Sequence, residues 1–82
     1  MFKITEDGFY NIYADGSAKE IKYREKDFPV ILPPIYESAT DCMCDQLLVD
    51  NLGYSSIIQK HPIWKQYVIV LTGFNKGNND EN

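Results

Sequence analysis

Few side chains in this chain could do chemistry, and most of them crowd into one stretch. "YESATDCMCDQLLVDNLGY", residues 36–54, holds both cysteines, Cys42 and Cys44, among the carboxylates of Glu37, Asp41, Asp45 and Asp50 and with no basic residue. The lone histidine, His61, follows seven residues later beside Pro62. Three chemistries are conceivable for such a set: metal ligation, thiol catalysis, or recognition by charge.

Metal ligation is the weakest of the three. Zinc takes four N, S or O ligands in a tetrahedron, usually as two spaced pairs. On a helix Cys42 and Cys44 lie about 200° apart, so they cannot share an ion. His61 has no second histidine to join it. The sequence therefore implies no metal and no cofactor, with Cys44 packed as a small hydrophobe and Cys42 partly exposed. Catalysis lacks a motif. Cys42 with His61, or Ser56 with His61, are nominal nucleophile–base pairs. Nothing sets either nucleophile at a strained turn or beside an oxyanion hole. The glycines are isolated, so no phosphate loop exists. The expectation is a protein that is not an enzyme.

Charge is distributed more informatively. The chain has 82 residues and a net charge of −4. Residues 1–26 sum to zero, whereas 27–59 carry five acids and no Lys or Arg. Glu37, Asp41 and Asp45 fall within about 80° on a helix, an acidic stripe that repels itself unless a cation offsets it. An acidic surface argues against direct nucleic-acid binding. Tyrosines are plentiful, and Tyr13, Tyr36 and Tyr54 could add aromatic anchors at an interface. The expected binding set is Glu37, Asp41, Asp45 and Asp50 with Tyr36 and Tyr54, facing a protein partner with a basic surface.

The elements that must position these residues can be read by pattern. Asp7-Gly8 and Asp15-Gly16, flanked by strand-like segments, signal two hairpin turns and hence a β-meander. "DFPVILPPIY" has prolines at 29, 33 and 34 and reads as an edge segment or crossing loop. Ser38 or Thr40 can cap a helix over about residues 40–52, and Gly53 can end it. Met43, Cys44, Leu47, Leu48 and Leu52 give that helix a buried stripe at helical spacing. A short helical turn is expected at "SSIIQKH", where Ser56 and Gln59 have capping-box spacing. "YVIVL", Tyr67 to Leu71, is apolar on both faces, as an interior strand would be. The class is α+β, with the meander and the C-terminal strand in one antiparallel sheet and the helices packed on it.

A chain this short buries only about 60–65% of its unfolded surface, so it forms one compact domain, residues 1–74, with a disordered tail at 75–82. Its opening residues lack an export signal and no apolar run could cross a bilayer, which implies a cytoplasmic, non-membrane protein with free thiols. In size, acidity and lack of catalytic motifs it resembles small phage-encoded inhibitors of host or defence proteins in general character, a resemblance that carries over no residue. Such inhibitors imply occupation of a basic channel. Two other functions are open: a ligand-binding or catalytic domain using a pocket near Cys42, Tyr54 and His61, and a self-associating structural subunit. The oligomeric expectation is a monomer or homodimer.

Overall fold

The computed structural model describes residues 1–75. The first strands are β1 (Phe2–Thr5), β2 (Gly8–Ile12) and β3 (Ala18–Ile21), then a 3-10 turn at Glu25–Asp27 and β4 (Val30–Ile31). Helix α1 (Ala39–Asn51), β5 (Tyr54–Lys60) and β6 (Tyr67–Phe74) complete the order. The class is α+β, and the meander β1-β2-β3 forms as an antiparallel sheet. Its turns use local side-chain bonds. The Thr5 hydroxyl accepts from the backbone N–H of Asp7 and Gly8, and Asp15 accepts from both the N–H and the hydroxyl of Ser17.

β6 does not join the meander. It is the centre of a second antiparallel sheet, β4-β6-β5. The expectation of one sheet fails because β6 finds a partner on each side: Val30–Ile31 on one edge, Tyr54–Lys60 on the other. Both edges of β6 are then engaged without β1 or β3. β4 is short and lies between Pro29 and Pro33, as a proline-bounded edge strand should. The helical turn expected over 55–61 is also replaced. Ser56 to Lys60 are strand, with Ile57 opposite Val70 and Ile58 opposite Ile69. Two adjacent β-branched isoleucines facing an apolar strand outweigh a Ser-x-x-Gln cap signal.

Ser38, extended at φ −125°, caps α1 by accepting from the Asp41 N–H. Gly53 takes φ +99° just past the helix end, a conformation that favours glycine, and turns the chain directly into β5. The core gathers Phe9 from the meander, Leu32, Cys42 and Val49, and Ile69 and Leu71 of β6. Helix α1 and the meander thus share the Ile69/Leu71 face of the second sheet, whose other face looks to solvent.

The rotation of α1 reverses the expected burial. Its inner face is Cys42, Asp45, Gln46 and Val49, with spacing i, i+3, i+4, i+7; Cys42 and Val49 are fully buried, Asp45 and Gln46 half-buried. Met43 and Leu47, expected inside, are 54% and 66% exposed. Cys44 is exposed as well, so the two thiols have exchanged their expected places. Leu48 is half-buried, and Leu52 packs at the margin of the core. The polar pair can sit inward because each member finds a partner. Asp45 accepts from the Tyr36 hydroxyl, and the Gln46 amide donates to the Ser56 carbonyl.

Asn75, expected to open the tail, donates from its backbone to Gly53 and from its side chain to Asp50. The rest of the expected tail lies outside the described residues. No helix among the described residues is long and apolar enough to cross a membrane.

Candidate interaction surface

The six residues expected to form one surface divide into three environments. Glu37 and Asp41 are exposed around the start of α1. Asp50 is exposed near its end, where the Asn75 side chain donates to it at 2.8 Å. Asp45 is withdrawn: it is half-buried and accepts a 2.6 Å hydrogen bond from the Tyr36 hydroxyl. A continuous Glu37–Asp41–Asp45 stripe is therefore broken at its third member. Tyr36 is fixed at both ends, because its backbone also exchanges two hydrogen bonds with Tyr67. Burial and the Asp45 carboxylate push the Tyr36 phenol well above its ordinary ionisation range, burial being the larger cause.

Tyr54 is structural. Its ring lies among Phe9, Tyr23, Phe28 and Phe74, with centroids 5.2–6.4 Å away in tilted and edge-on geometries. That cluster joins the meander to the second sheet, so Tyr54 is no free anchor. Tyr13 is exposed.

The three groups named for a ligand pocket also stand apart. Cys42 is in the core, and burial, followed by the charge of Asp45, raises its thiol above the ordinary range. Tyr54 lines a cavity of about 310 Å³ with Asp7, Glu20 and Lys22, while His61 lines another beside β4 and β6. His61 Nδ1 is already engaged, accepting from the backbone N–H groups of Ile63 and Trp64, each at 3.1 Å. Among the described residues no group of three His, Cys, Asp or Glu comes together as a metal site would require.

What remains on the outside of α1 is a second i, i+3, i+4, i+7 set: Thr40, Met43, Cys44 and Leu47, all exposed. Asp50, one turn beyond Leu47, flanks it on one side, and Asp41, one turn before Cys44, on the other. The helix offers solvent an apolar ridge between carboxylates. In the sequence Met43, Cys44 and Leu47 read as part of a buried stripe, because the face that packs inward has only Cys42 and Val49 as apolar members. The signal for that inward face was that Asp45 and Gln46 could each reach a partner.

No family model matches this chain, and comparison with curated proteins and with solved structures found no match either.

Proposed function

We propose that this chain is a non-enzymatic interaction protein that binds another protein through the outward face of α1. The observation that carries the reading is the exposure of Met43 and Leu47 on a ridge flanked by Asp41 and Asp50. An amphipathic helix laid into a groove reads its partner through anchors at such spacing. The partner's chemistry follows by complement: an apolar groove rimmed by Lys or Arg. Residues 27–59 bring no cation that would oppose such a rim.

A basic groove is also what binds nucleic-acid phosphates. Occupying it would exclude that ligand, so inhibition of the partner is the expected consequence, in a cytoplasmic setting where the two thiols stay free. The dispersal of Cys42, Tyr54 and His61 favours this reading over a catalytic or ligand-binding one.

The test is affinity capture from the source cell with the wild type and with Met43→Lys/Leu47→Lys. Lysine is a good helix former, and both sites are exposed, so circular dichroism and melting should be little changed. The wild type should recover a basic protein that elutes as salt rises, and the variant should lose it. Equal recovery by a folded variant would overturn the proposal.

A further inference from the structure

β5 forms one edge of the β4-β6-β5 sheet. At seven residues it is the longest edge strand among the described residues; β1 and β3 have four each, and β4 has two, bounded by Pro29 and Pro33. Which of its backbone groups are already engaged follows from the alternation along β6. Tyr67 exchanges two bonds with Tyr36, and the Leu32 N–H donates to the Ile69 carbonyl, so Tyr67 and Ile69 turn their backbone groups toward β4. Val68 and Val70 therefore turn theirs toward β5, onto Gln59 and Ile57. The bond from His61 N–H to the Gln66 carbonyl continues the same alternation. The N–H and C=O groups of Ser56, Ile58 and Lys60 point the other way, out of the sheet. The Gln46 amide reaches the Ser56 carbonyl there. No hydrogen bond among the described residues engages the backbone of Ile58 or Lys60 on that side.

Helix α1 leans over this edge. It packs on β5 and β6, with Asp45 reaching toward Tyr36 on the β4 side and Gln46 toward Ser56 on the open side. At about 100° per residue, Met43 and Leu47 fall on the Gln46 flank, whereas Asp41 falls on the Asp45 flank. The exposed apolar pair of α1 thus overhangs the unpaired edge of β5. Backbone groups without partners and apolar side chains without cover lie on one side of the molecule, one layer above the other.

We propose that this side takes a second copy of the chain about a twofold axis at Ile58, β5 pairing antiparallel with β5 and α1 packing against α1. The register follows from the edge itself. Ile58 faces Ile58, and Lys60 faces Ser56 at either end, so every outward group is paired and no lysine opposes a lysine. The Ser56 carbonyl has a second lone pair for this bond. A helix lying over β5 and β6 stands about half a strand spacing inside the edge. One further strand spacing of about 4.8 Å then sets the two helix axes roughly 10 Å apart, the distance at which helices pack through side chains such as Met43 and Leu47. The helices run antiparallel, so the Asp50 carboxylates lie at opposite ends of the pair. A face of one strand and one helix is about 20 Å long, at the small end for a stable interface of about 800 Å² per partner, so the dimer should form reversibly.

The inference rests on α1 being a docking surface and names a second copy as an occupant that a foreign partner would displace. Sedimentation velocity over a concentration series is run for the wild type, the edge variant Lys60→Pro, its control Lys60→Ala, and the ridge variant Met43→Lys/Leu47→Lys. The wild type should pass from the 9.5 kDa of one chain to twice that and stop, because a twofold contact closes. Lys60→Pro removes an N–H that β6 does not use, and edge strands accept proline, so it should fold and stay at one chain. Lys60→Ala keeps that N–H and should dimerise as the wild type does. The ridge variant should dimerise more weakly, since it sets lysines against lysines between the helices. Amide exchange of the wild type needs no variant: the Ile58 and Lys60 amides should slow as concentration rises.

A wild type at one chain throughout overturns the proposal, as do Ile58 and Lys60 amides indifferent to concentration. A folded Lys60→Pro or ridge variant that dimerises like the wild type overturns it, and so does a loss in Lys60→Ala equal to that in Lys60→Pro. A wild type at one chain whose Ile58 and Lys60 amides are protected only by a captured foreign protein assigns the edge to a foreign strand and overturns it too. Capture is scored in parallel. If Lys60→Pro keeps the foreign partner and the ridge variant loses it, docking by α1 stands whatever becomes of the dimer.

Discussion

Tyr36 and Asp45 join the proline-rich crossing segment to the inner face of α1 through one hydrogen bond, phenol to carboxylate, at 2.6 Å. The bond explains why a helix with leucines to spare turns an aspartate inward. It also makes Asp45 a packing residue, unlike exposed Asp41. Tyr36→Phe keeps the ring and removes the donor, which should cost about 1.5–3 kcal/mol, the range for bonds to charged groups. Asp45→Lys should destabilise more than Asp41→Lys, because it sets a cation in a half-buried site built to accept a hydrogen bond. Urea denaturation of the three variants checks the order, and equal losses for the two aspartates would contradict it.

The same pair has an alkaline signature. The folded phenol ionises above its ordinary value of 10.0, first from burial and then from Asp45. A group whose pKa is raised on folding adds stability that is fully present below the unfolded value. That stability is lost as pH climbs toward the folded one. Stability should therefore fall above about pH 10 more steeply in the wild type than in Tyr36→Phe. Tyrosinate absorbance should show a late-ionising fraction that the variant lacks. Superimposable titrations would show that the phenol is not held back.

The rotation of α1 has its own test. Leu47→Ala should cost under about 0.5 kcal/mol, as an exposed truncation does. Val49→Ala removes apolar volume from a fully buried site and should cost about 2 kcal/mol. Thermal melts of the two variants decide the phase, since the reverse order would return Leu47 to the core.

How much of this was legible in the sequence differs from element to element. The meander was legible because Asp-Gly turns carry their conformation in two residues. The limits of α1 were legible because Ser38 and Gly53 act within one turn of the chain. The rotation of α1 was not, because its more apolar face is the exposed one and the choice rests on Tyr36 and Ser56, residues nine and ten positions away from their partners on the helix. β5 was read as helix because a capping pattern is local, whereas the strand depends on β6 arriving across from it. The acidic half of the candidate surface was visible as composition. Its apolar ridge was visible as the stripe of Met43, Cys44 and Leu47 but read as buried, and the loop that displays Ile63 and Trp64 was not visible at all.

The thiols offer a quick measure of the same rotation. Cys44 is exposed, while Cys42 is buried with its thiolate further disfavoured by burial and by Asp45. Under native conditions a thiol reagent should modify one cysteine fast and the second only at the rate of opening, with both reacting at once in denaturant. Mass spectrometry of the first product should place the label on Cys44. A label on Cys42 would reverse the helix.

The final prediction concerns the loop between β5 and β6. His61 serves there as an acceptor for two consecutive backbone N–H groups, a task that a neutral imidazole nitrogen can perform and an alanine cannot. His61→Ala should leave the strands paired, because the His61 N–H to Gln66 carbonyl bond comes from the backbone and survives. The N–H groups of Ile63 and Trp64 would turn to water, and their amide exchange should accelerate. Since the site is exposed, the melting temperature should fall little. The Trp64 side chain would lose the frame that holds it outward, so its fluorescence anisotropy should drop relative to the wild type. Unchanged amide exchange at Ile63 and Trp64 would mean that the loop is held by its backbone alone and that His61 is incidental to it.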